Sequence, residues 1–258
     1  MRRLRAKISL GNRYLCIICG HHLGTFLSYR GGYWNLPPLM RVLDMVGSDV
    51  DHFECPWCGA HDRERHLFMY MHTIGLFDSL PSMTVLHFAP ERHLSRIITL
   101  AKPMHYVKCD LYPSMPDIEQ IDMLAIPYPA EKFDLIIANH VLEHVADDLC
   151  ALKEIRRVLK PNGYAILQTP YSTKLQHTWS DPGIDSDIIR LQAYGQEDHV
   201  RLFGRDIFER FTSAGLESCV GTHQQLLREY NPEKYGINEK EPFFLFKRTV
   251  SPLPSCPL

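Results

Sequence analysis

The chain has 258 residues, 45% of them apolar, with 28 basic and 30 acidic side chains. That length supports one sizeable core plus a small accessory unit, and so even a charge balance gives no global field to recruit nucleic acid. No apolar run reaches the roughly 18 residues of a membrane helix, and none of signal-peptide length follows the start "MRRLRAK", so a soluble, cytoplasmic protein without a membrane partner is expected.

The basic start is short enough to be a solvated end. The last residues, 251–258, form a Pro-rich tail, "SPLPSCPL", with no cysteine placed for prenylation.

Eight cysteines are present. In a short secreted chain they would form a disulfide scaffold; in a long chain without a leader a reduced compartment is expected. "CIICG" begins at Cys16 and "CPWCG" at Cys55. Each Cys-x-x-Cys brings two thiolates to one ion, and the following glycine permits the tight turn that aims backbone N–H groups at sulfur. Cys16, Cys19, Cys55 and Cys58 are the candidate ligands of a tetrahedral zinc that is closed to chemistry. Two disulfides or a redox pair would use the same residues, but the duplication with matching glycines favours metal. His21, His22 and His61 flank the knuckles as expected bystanders. Cys109, Cys150 and Cys219 lie in apolar-patterned segments and read as core filler, and Cys256 lies in the tail. Residues 1–65 therefore read as a zinc-ribbon-like module. The insert between its knuckles is rich in aromatics and either packs on the next domain or lines a substrate cleft.

Apolar residues at Leu67, Tyr70, Met71 and Ile74 keep a helical period. They predict a connecting helix over residues 66–82, stopped by Pro81. Residues 83–250 then alternate strands and helices. "TVLHFA" is a strand and "PERHLSRIITLA" a helix. "HYVKCD", "IEQIDML" and "KFDLIIAN" are strands, the last apolar enough to be buried on both faces. "ADDLCALKEIRRVL" is an amphipathic helix closed by the turn "KPNG". "GYAILQTP" is a strand, "GRDIFERFTSAG" a helix, and "LESCVGTH" and "PFFLFKRTV" two strands that pair antiparallel. The pattern predicts an α/β domain with a mostly parallel, doubly wound sheet.

The stretch "FDLIIANHVLEHVADDLCALKEIRRVLKPNGYAILQTP" resembles the class I S-adenosylmethionine-dependent methyltransferases, and within them the methyltransferase type 11 group. There "FD" opens the fourth strand, "LEHV" follows it, and "E-x-x-R-V-L-K-P-G-G" leads to the fifth; here Asn162 replaces one glycine. The resemblance extends over about residues 83 to 248. It implies a Rossmann-like seven-stranded sheet with helices on both faces, an antiparallel final strand, and S-adenosylmethionine at the carboxyl ends of the first strands.

The group's turn after the first strand is usually "VLDxGCGxG". Here His87, Phe88, Ala89, Pro90 and Glu91 stand instead. A dinucleotide needs glycines because its pyrophosphate lies against bare backbone, whereas S-adenosylmethionine has no phosphate. Ala89 is the smallest substitute for a close-approach glycine. Pro90 suits the opening of a helix whose N-terminus seats the cofactor's carboxylate. Glu91, in the first turn, suits the dipole and the cofactor's ammonium. By position in the resemblance, His87 joins this site, Asp110 takes the ribose hydroxyls, Asp122 with Met123 meets the adenine, and Asn139 and His140 face the methyl donor.

An oxygen acceptor also needs a base. His199, in "YGQEDHVRLFGRD", is the first candidate and His140 the second, while Glu143 and His144 pack or cap a helix start. "H-x-x-E-H" with a distant histidine is also similar to the "E-x-x-E-H…H" metal site of small-RNA 2′-O-methyltransferases, which implies a second divalent ion at His140, Glu143, His144 and His199. The leading expectation is an enzyme that methylates a small molecule or a sugar-type hydroxyl. A ribosomal-RNA base methyltransferase is the less favoured alternative, and a non-catalytic zinc-containing scaffold the third.

Overall fold

The structure, a computed structural model, describes residues 11–249; the basic start and the Pro-rich tail with Cys256 lie outside the described residues. Strands β1 (Tyr14–Leu15) and β2 (His22–Leu23) pair antiparallel across the first knuckle. Helix α1 (Pro38–Val42) and strand β3 (Met45–Val46) lie in the insert. Helix α2 (Asp62–Thr73) follows the second knuckle. It was expected to run to Pro81, but Gly75 takes a left-handed φ of 69° and ends it early. Helix α3 (Leu76–Ser79) fills part of the remaining distance.

Then come β4 (Thr84–Phe88), α4 (Arg92–Leu100), β5 (His105–Asp110), β6 (Glu119–Gln120) and β7 (Phe133–Ala138). Helix α5 (Asp148–Val158), strand β8 (Leu159–Ile166), strand β9 (Tyr171–Ser172), helix α6 (Asp187–Tyr194), helix α7 (Ile207–Ser213), strand β10 (Leu216–Ser218) and strand β11 (Leu245–Arg248) complete the order used below. Seven strands form one sheet in the order β10-β11-β8-β7-β4-β5-β6. Only β11 runs against its neighbours.

The central strands are apolar on both sides because both faces are covered. Leu86, Phe88, Ile136 and Ala138 point into a core with Ile155 and Phe211. Val85, Leu135 and Ile137 point the other way, against Leu67, Leu94 and Phe243. Helix α2 thus belongs to the sheet's own core: Leu67, Met69, Tyr70 and Met71 are buried there, whereas Ile74 is exposed at its end.

Two local readings change. "KPNG" is not a turn after α5, because the chain passes directly into β8. Its register on β7 jumps from Phe133 opposite Leu159 to Leu135 opposite Tyr164, so residues 160–163 bulge out of the ladder. Asn162 takes the left-handed conformation there, with φ 64°, and a Cβ on Gly163 would sit 2.9 Å from the Lys160 carbonyl oxygen. Cys109 is buried, but Cys219 is exposed just past β10 and fills no core.

The cysteine module is bound into this domain at several points. β3 of the insert pairs antiparallel with β9. The fully buried Arg65 guanidinium donates to the carbonyls of His52, Phe53, Ala60, Tyr235 and Gly236. His93 Nε2, from α4, lies 3.0 Å from the Cys58 carbonyl oxygen.

Candidate functional site

The two knuckles bring four sulfurs together. Cys16 Sγ lies 3.8 Å from Cys58 Sγ, and Cys19 Sγ lies 3.9 Å from Cys55 Sγ. A tetrahedral four-thiolate zinc with Zn–S near 2.3 Å needs sulfur–sulfur edges of about 3.8 Å, so the donor set fits that ion. None of the four is in a disulfide. Gly20 and Gly59 each take a positive φ, 71° and 83°, and each donates its N–H to the carbonyl of the first cysteine of its pair at 2.8 Å. The flanking histidines stay outside: His21 stacks on Trp57 and His61 on Phe53.

A second centre lies where the chain reverses across the sheet. β5 and β6 extend from one side of β4, and β7 and β8 from the other. The crevice expected for the cofactor would lie beyond the adjacent carboxyl ends of β4 and β7, where open α/β sheets bind ligands. Ala89 leaves β4 with φ 45°, the backbone a glycine would favour. Glu91 follows, and its Oε1 accepts from Asn139 Nδ2 at the end of β7. Its Oε2 lies 3.2 Å from His87 Nε2. Burial pushes the Glu91 carboxyl up, but the His87 hydrogen bond together with the nearby His87 and Arg63 charges outweighs it and holds the group below its ordinary value. His87 itself is fully buried behind Glu91, with Nδ1 2.8 Å from the Tyr106 hydroxyl. Burial keeps that phenol protonated, so it donates to Nδ1 and leaves Nε2–H for Glu91. His87 therefore acts through Glu91 and does not line the crevice.

The helix end does not serve as expected. α4 starts at Arg92, so Pro90 lies before the helix and Glu91 occupies its N-cap position. The N–H groups of His93 and Leu94 both donate to Glu64 Oε1, at 2.6 and 2.8 Å. A buried carboxylate from α2 already takes these two N–H groups at the dipole's positive end.

At the end of β5, Asp110 is half-buried; its Oδ1 accepts from the Tyr112 N–H at 2.8 Å, and no described group donates to its Oδ2. Asp122 is exposed, with Oδ1 taken by the Leu124 N–H at 2.9 Å. Met123 is buried in the core beside it. Asn139 Oδ1 is buried and has no donor. An ionised Glu91, an orphaned Asn139 oxygen and an open Asp110 oxygen suit the ammonium and ribose of S-adenosylmethionine, so these residues fit that cofactor.

A cavity of about 1120 Å³ lies between the insert and the sheet. Tyr29, Tyr33 and Met40 wall it from the insert, and His140, Pro170 and His199 from the sheet side. His140 follows β7 with φ 56°. Its Nε2 is 3.2 Å from Glu241 Oε1 and its Nδ1 3.5 Å from Glu143 Oε1. Burial disfavours its charge, but these two carboxylates outweigh burial and push it up to about 9. A charged ring accepts no proton, so these two carboxylates weigh against the base role expected of His140.

His199 is the opposite case. Its Nδ1 is 3.0 Å from the Tyr194 carbonyl oxygen, which fixes Nδ1 as the donor and leaves Nε2 with a lone pair. Nε2 is buried without a partner, and burial lowers the ring's proton affinity. Glu143 Oε2 is likewise buried and unpaired. One ligand atom each from Glu143, His144 and His199 lies within 4.8 Å of the others, a set that does not include His140.

Several residues of these sites escaped the sequence reading: Glu241 and His66, 3.3 Å apart in the His140 network, Glu64 at the helix end, and Arg63 on the cavity wall. "DRERH" reads as an ordinary polar helix start, and nothing in its spacing marks it.

Residues 100–167 match the family model described as a methyltransferase domain. Among curated proteins, the uncharacterized methyltransferase YcgJ of Bacillus subtilis is 30% identical over 77 residues, 30% of this chain and 28% of that protein. The malonyl-(acyl-carrier protein) O-methyltransferase of Halorhodospira halophila is 28% identical over 102 residues, 38% of this chain and 31% of that protein. The chain thus spans less than a third of the length of these relatives. The solved structure of YcgJ is similar at a TM-score of 0.44 and 16% identity, covering 68% of this chain and 94% of that one. An S-adenosylmethionine-dependent methyltransferase from Mesorhizobium loti is similar at a TM-score of 0.46 and 14% identity, again with 68% and 94% covered. Residues 100–167 therefore carry the sequence of a methyltransferase domain, set in a Rossmann-like sheet of seven strands with a single reversed strand.

Proposed function

We propose that this chain is an S-adenosylmethionine-dependent methyltransferase that transfers a methyl group to a hydroxyl oxygen of a small-molecule or sugar-type acceptor. The observation that carries the reading is the pair at the carboxyl ends of β4 and β7, ionised Glu91 and the donor-less Asn139 oxygen, which together suit a cation. S-adenosylmethionine supplies a methyl group on a cationic sulfur, so the protein's task is chiefly alignment. Glu91 and Asn139 hold the ammonium. Asp110 accepts from the ribose hydroxyls. The cavity orients the acceptor, and His199 Nε2 takes its proton as the new bond forms.

Oxygen is favoured by that lone pair, and by the Halorhodospira relative, which is named as an O-methyltransferase. A small acceptor is favoured by the cavity walls, where Arg30 pairs with Glu197 and Lys240 with Asp44. With those two cations neutralised, the wall offers little continuous charge to a phosphate backbone. The four thiolates hold a structural zinc, whose role is to fix the knuckles that carry the insert.

A second reading has a specific observation behind it. Glu143 Oε2 and His199 Nε2 are both buried and unpaired, and with His144 they form a carboxylate–imidazole set suited to a divalent transition ion. Such an ion would activate the acceptor oxygen in place of the base.

Calorimetric titration with S-adenosylmethionine, followed by methyl-label transfer into RNA, protein, glycan and metabolite pools, tests the proposal. No cofactor binding would leave the scaffold alternative, and label in RNA would establish the ribosomal-RNA alternative. Manganese titration of the zinc-loaded protein tests the second reading: an added tight equivalent that His199→Ala removes supports it, and no added equivalent ends it.

A further inference from the structure

A carboxylate that is to hold an ammonium must itself be held, and a glutamate in an irregular turn has three free side-chain torsions to lose. Here three side chains, Tyr106, His87 and Asn139, restrain Glu91. In the β4–β5 register Tyr106 stands opposite Val85, so it shares a sheet face with His87 two residues on. Its hydroxyl lies 2.8 Å from His87 Nδ1. The Ala89 N–H still donates to the Cys109 carbonyl at 2.8 Å, while its φ of 45° turns the chain. Glu91 thereby returns to His87, four positions earlier, with Oε2 3.2 Å from Nε2. Its Oε1 accepts from Asn139 Nδ2.

The packing gives His87 no reason to be polar. Val85, Leu135 and Ile137 share its sheet face and are buried apolar residues, and His87 is as fully buried as they are. A leucine would fill that layer without two ring nitrogens to satisfy. Both nitrogens are satisfied, and in one direction only. The phenol, kept protonated by burial, donates to Nδ1, and Nε2–H then donates to Glu91. Each Glu91 oxygen thus takes one fixed donor and keeps a second acceptor direction for a ligand. Asn139, whose Nδ2 is committed to Glu91, is left with its buried Oδ1 free of donors.

We infer that His87 and Tyr106 are positioning residues of the cofactor site: they touch no ligand, and through the Nε2–H bond they fix the direction in which Glu91 presents its carboxylate to the cofactor's ammonium. The inference rests on the proposed cofactor reading and deepens it. Two side chains on adjacent strands then supply the precision that a glycine-rich turn would draw from its backbone. The Tyr106 hydroxyl, two residues removed from the ligand, becomes a determinant of affinity for it.

The test compares two ligands on the full chain with its zinc. S-adenosylhomocysteine carries the amino acid end; 5′-methylthioadenosine keeps the nucleoside and sulfur without it. His87→Leu, which fills the layer but cannot donate, is expected to weaken S-adenosylhomocysteine by about 10-fold, the scale of a hydrogen bond to a charged group. His87→Gln, whose amide N–H can stand in for Nε2–H, should recover part of the loss. Tyr106→Phe should cost about threefold on its own and nothing further beside His87→Leu, where the relay is already cut. It removes one oxygen, so it reads the relay even if His87→Leu fails to fold. Affinity for 5′-methylthioadenosine should stay within about threefold of the wild type in every variant, and nitrogen-15 spectra should show a proton on His87 Nε2. An equal loss for both ligands, no loss for S-adenosylhomocysteine, a full further loss in the double variant or a bare Nε2 overturns the assignment. If the wild-type chain binds neither ligand, the cofactor reading itself falls; wild-type binding with indifferent variants ends the relay alone.

Discussion

The backbone carbonyl of Tyr194 lies 3.0 Å from His199 Nδ1, and this contact decides what the ring can do. It takes the only proton a neutral imidazole carries, so the buried Nε2 keeps a lone pair. Burial keeps the ring neutral by lowering its pKa from 6.5. The turnover rate should therefore hold at neutral pH and fall on an acid limb centred below 6.5. His199→Ala should abolish that limb and cost about 10²- to 10⁴-fold in rate, with S-adenosylhomocysteine affinity unchanged. Full turnover in the variant would remove His199 from the chemistry.

The buried network of His140, Glu143 and Glu241 makes stability depend on pH. His140 is pushed up to about 9, so its contribution is complete below the ordinary 6.5 and is lost as pH rises through 9. Glu143 and Glu241 are held down at about 2, against burial, by their histidine partners. Their contribution is complete above the ordinary 4.5 and is lost as pH falls through 2. The network thus stabilises most between pH 4.5 and 6.5. Denaturant unfolding across pH should show the alkaline decline, and His140→Gln should flatten it. That variant leaves Glu143 buried without the His140 cation and Glu241 with His66 alone, at a cost of about 3–5 kcal/mol.

Asp110→Ala should weaken S-adenosylhomocysteine at least about 10-fold, the scale of lost hydrogen bonds to a charged acceptor. Because Asp110 is the half-buried last residue of β5, the far-ultraviolet spectrum and melting temperature should not change. Calorimetry with unchanged affinity would place the ribose elsewhere.

Metal analysis should find one zinc per chain. Cys55→Ser, or a strong chelator, should remove it and lower the melting temperature by about 10 °C or more. Cofactor affinity should fall with it, since α2 starts beside Cys58. A metal-free chain with an unaltered melt would reduce the four cysteines to ordinary thiols.

What the sequence made legible was local. Cys-x-x-Cys followed by glycine specifies its own turn, and "FDLIIA" announces a strand buried on both faces. Ala89 could be read as a glycine substitute because the backbone demand sits at that one position. The residues that decide the site's electrostatics are joined over long distances. Glu64 reaches α4 across 30 positions, and His140 finds Glu241 across 101. No periodicity encodes such pairs; they follow from how α2 and the segment before β11 pack on the sheet. Reading Pro90 as the first residue of a helix failed for a similar reason: a carboxylate from another element had settled the helix start.

The burial of Leu67, Met69, Tyr70 and Met71 beneath the sheet carries a practical consequence for anyone dividing this protein. A fragment cut at residue 83 would keep every strand of the large sheet yet lay bare the flank those four side chains shield. Such a fragment should be sticky and short-lived in solution, so inactivity in it would report lost cover and reveal nothing of its chemistry.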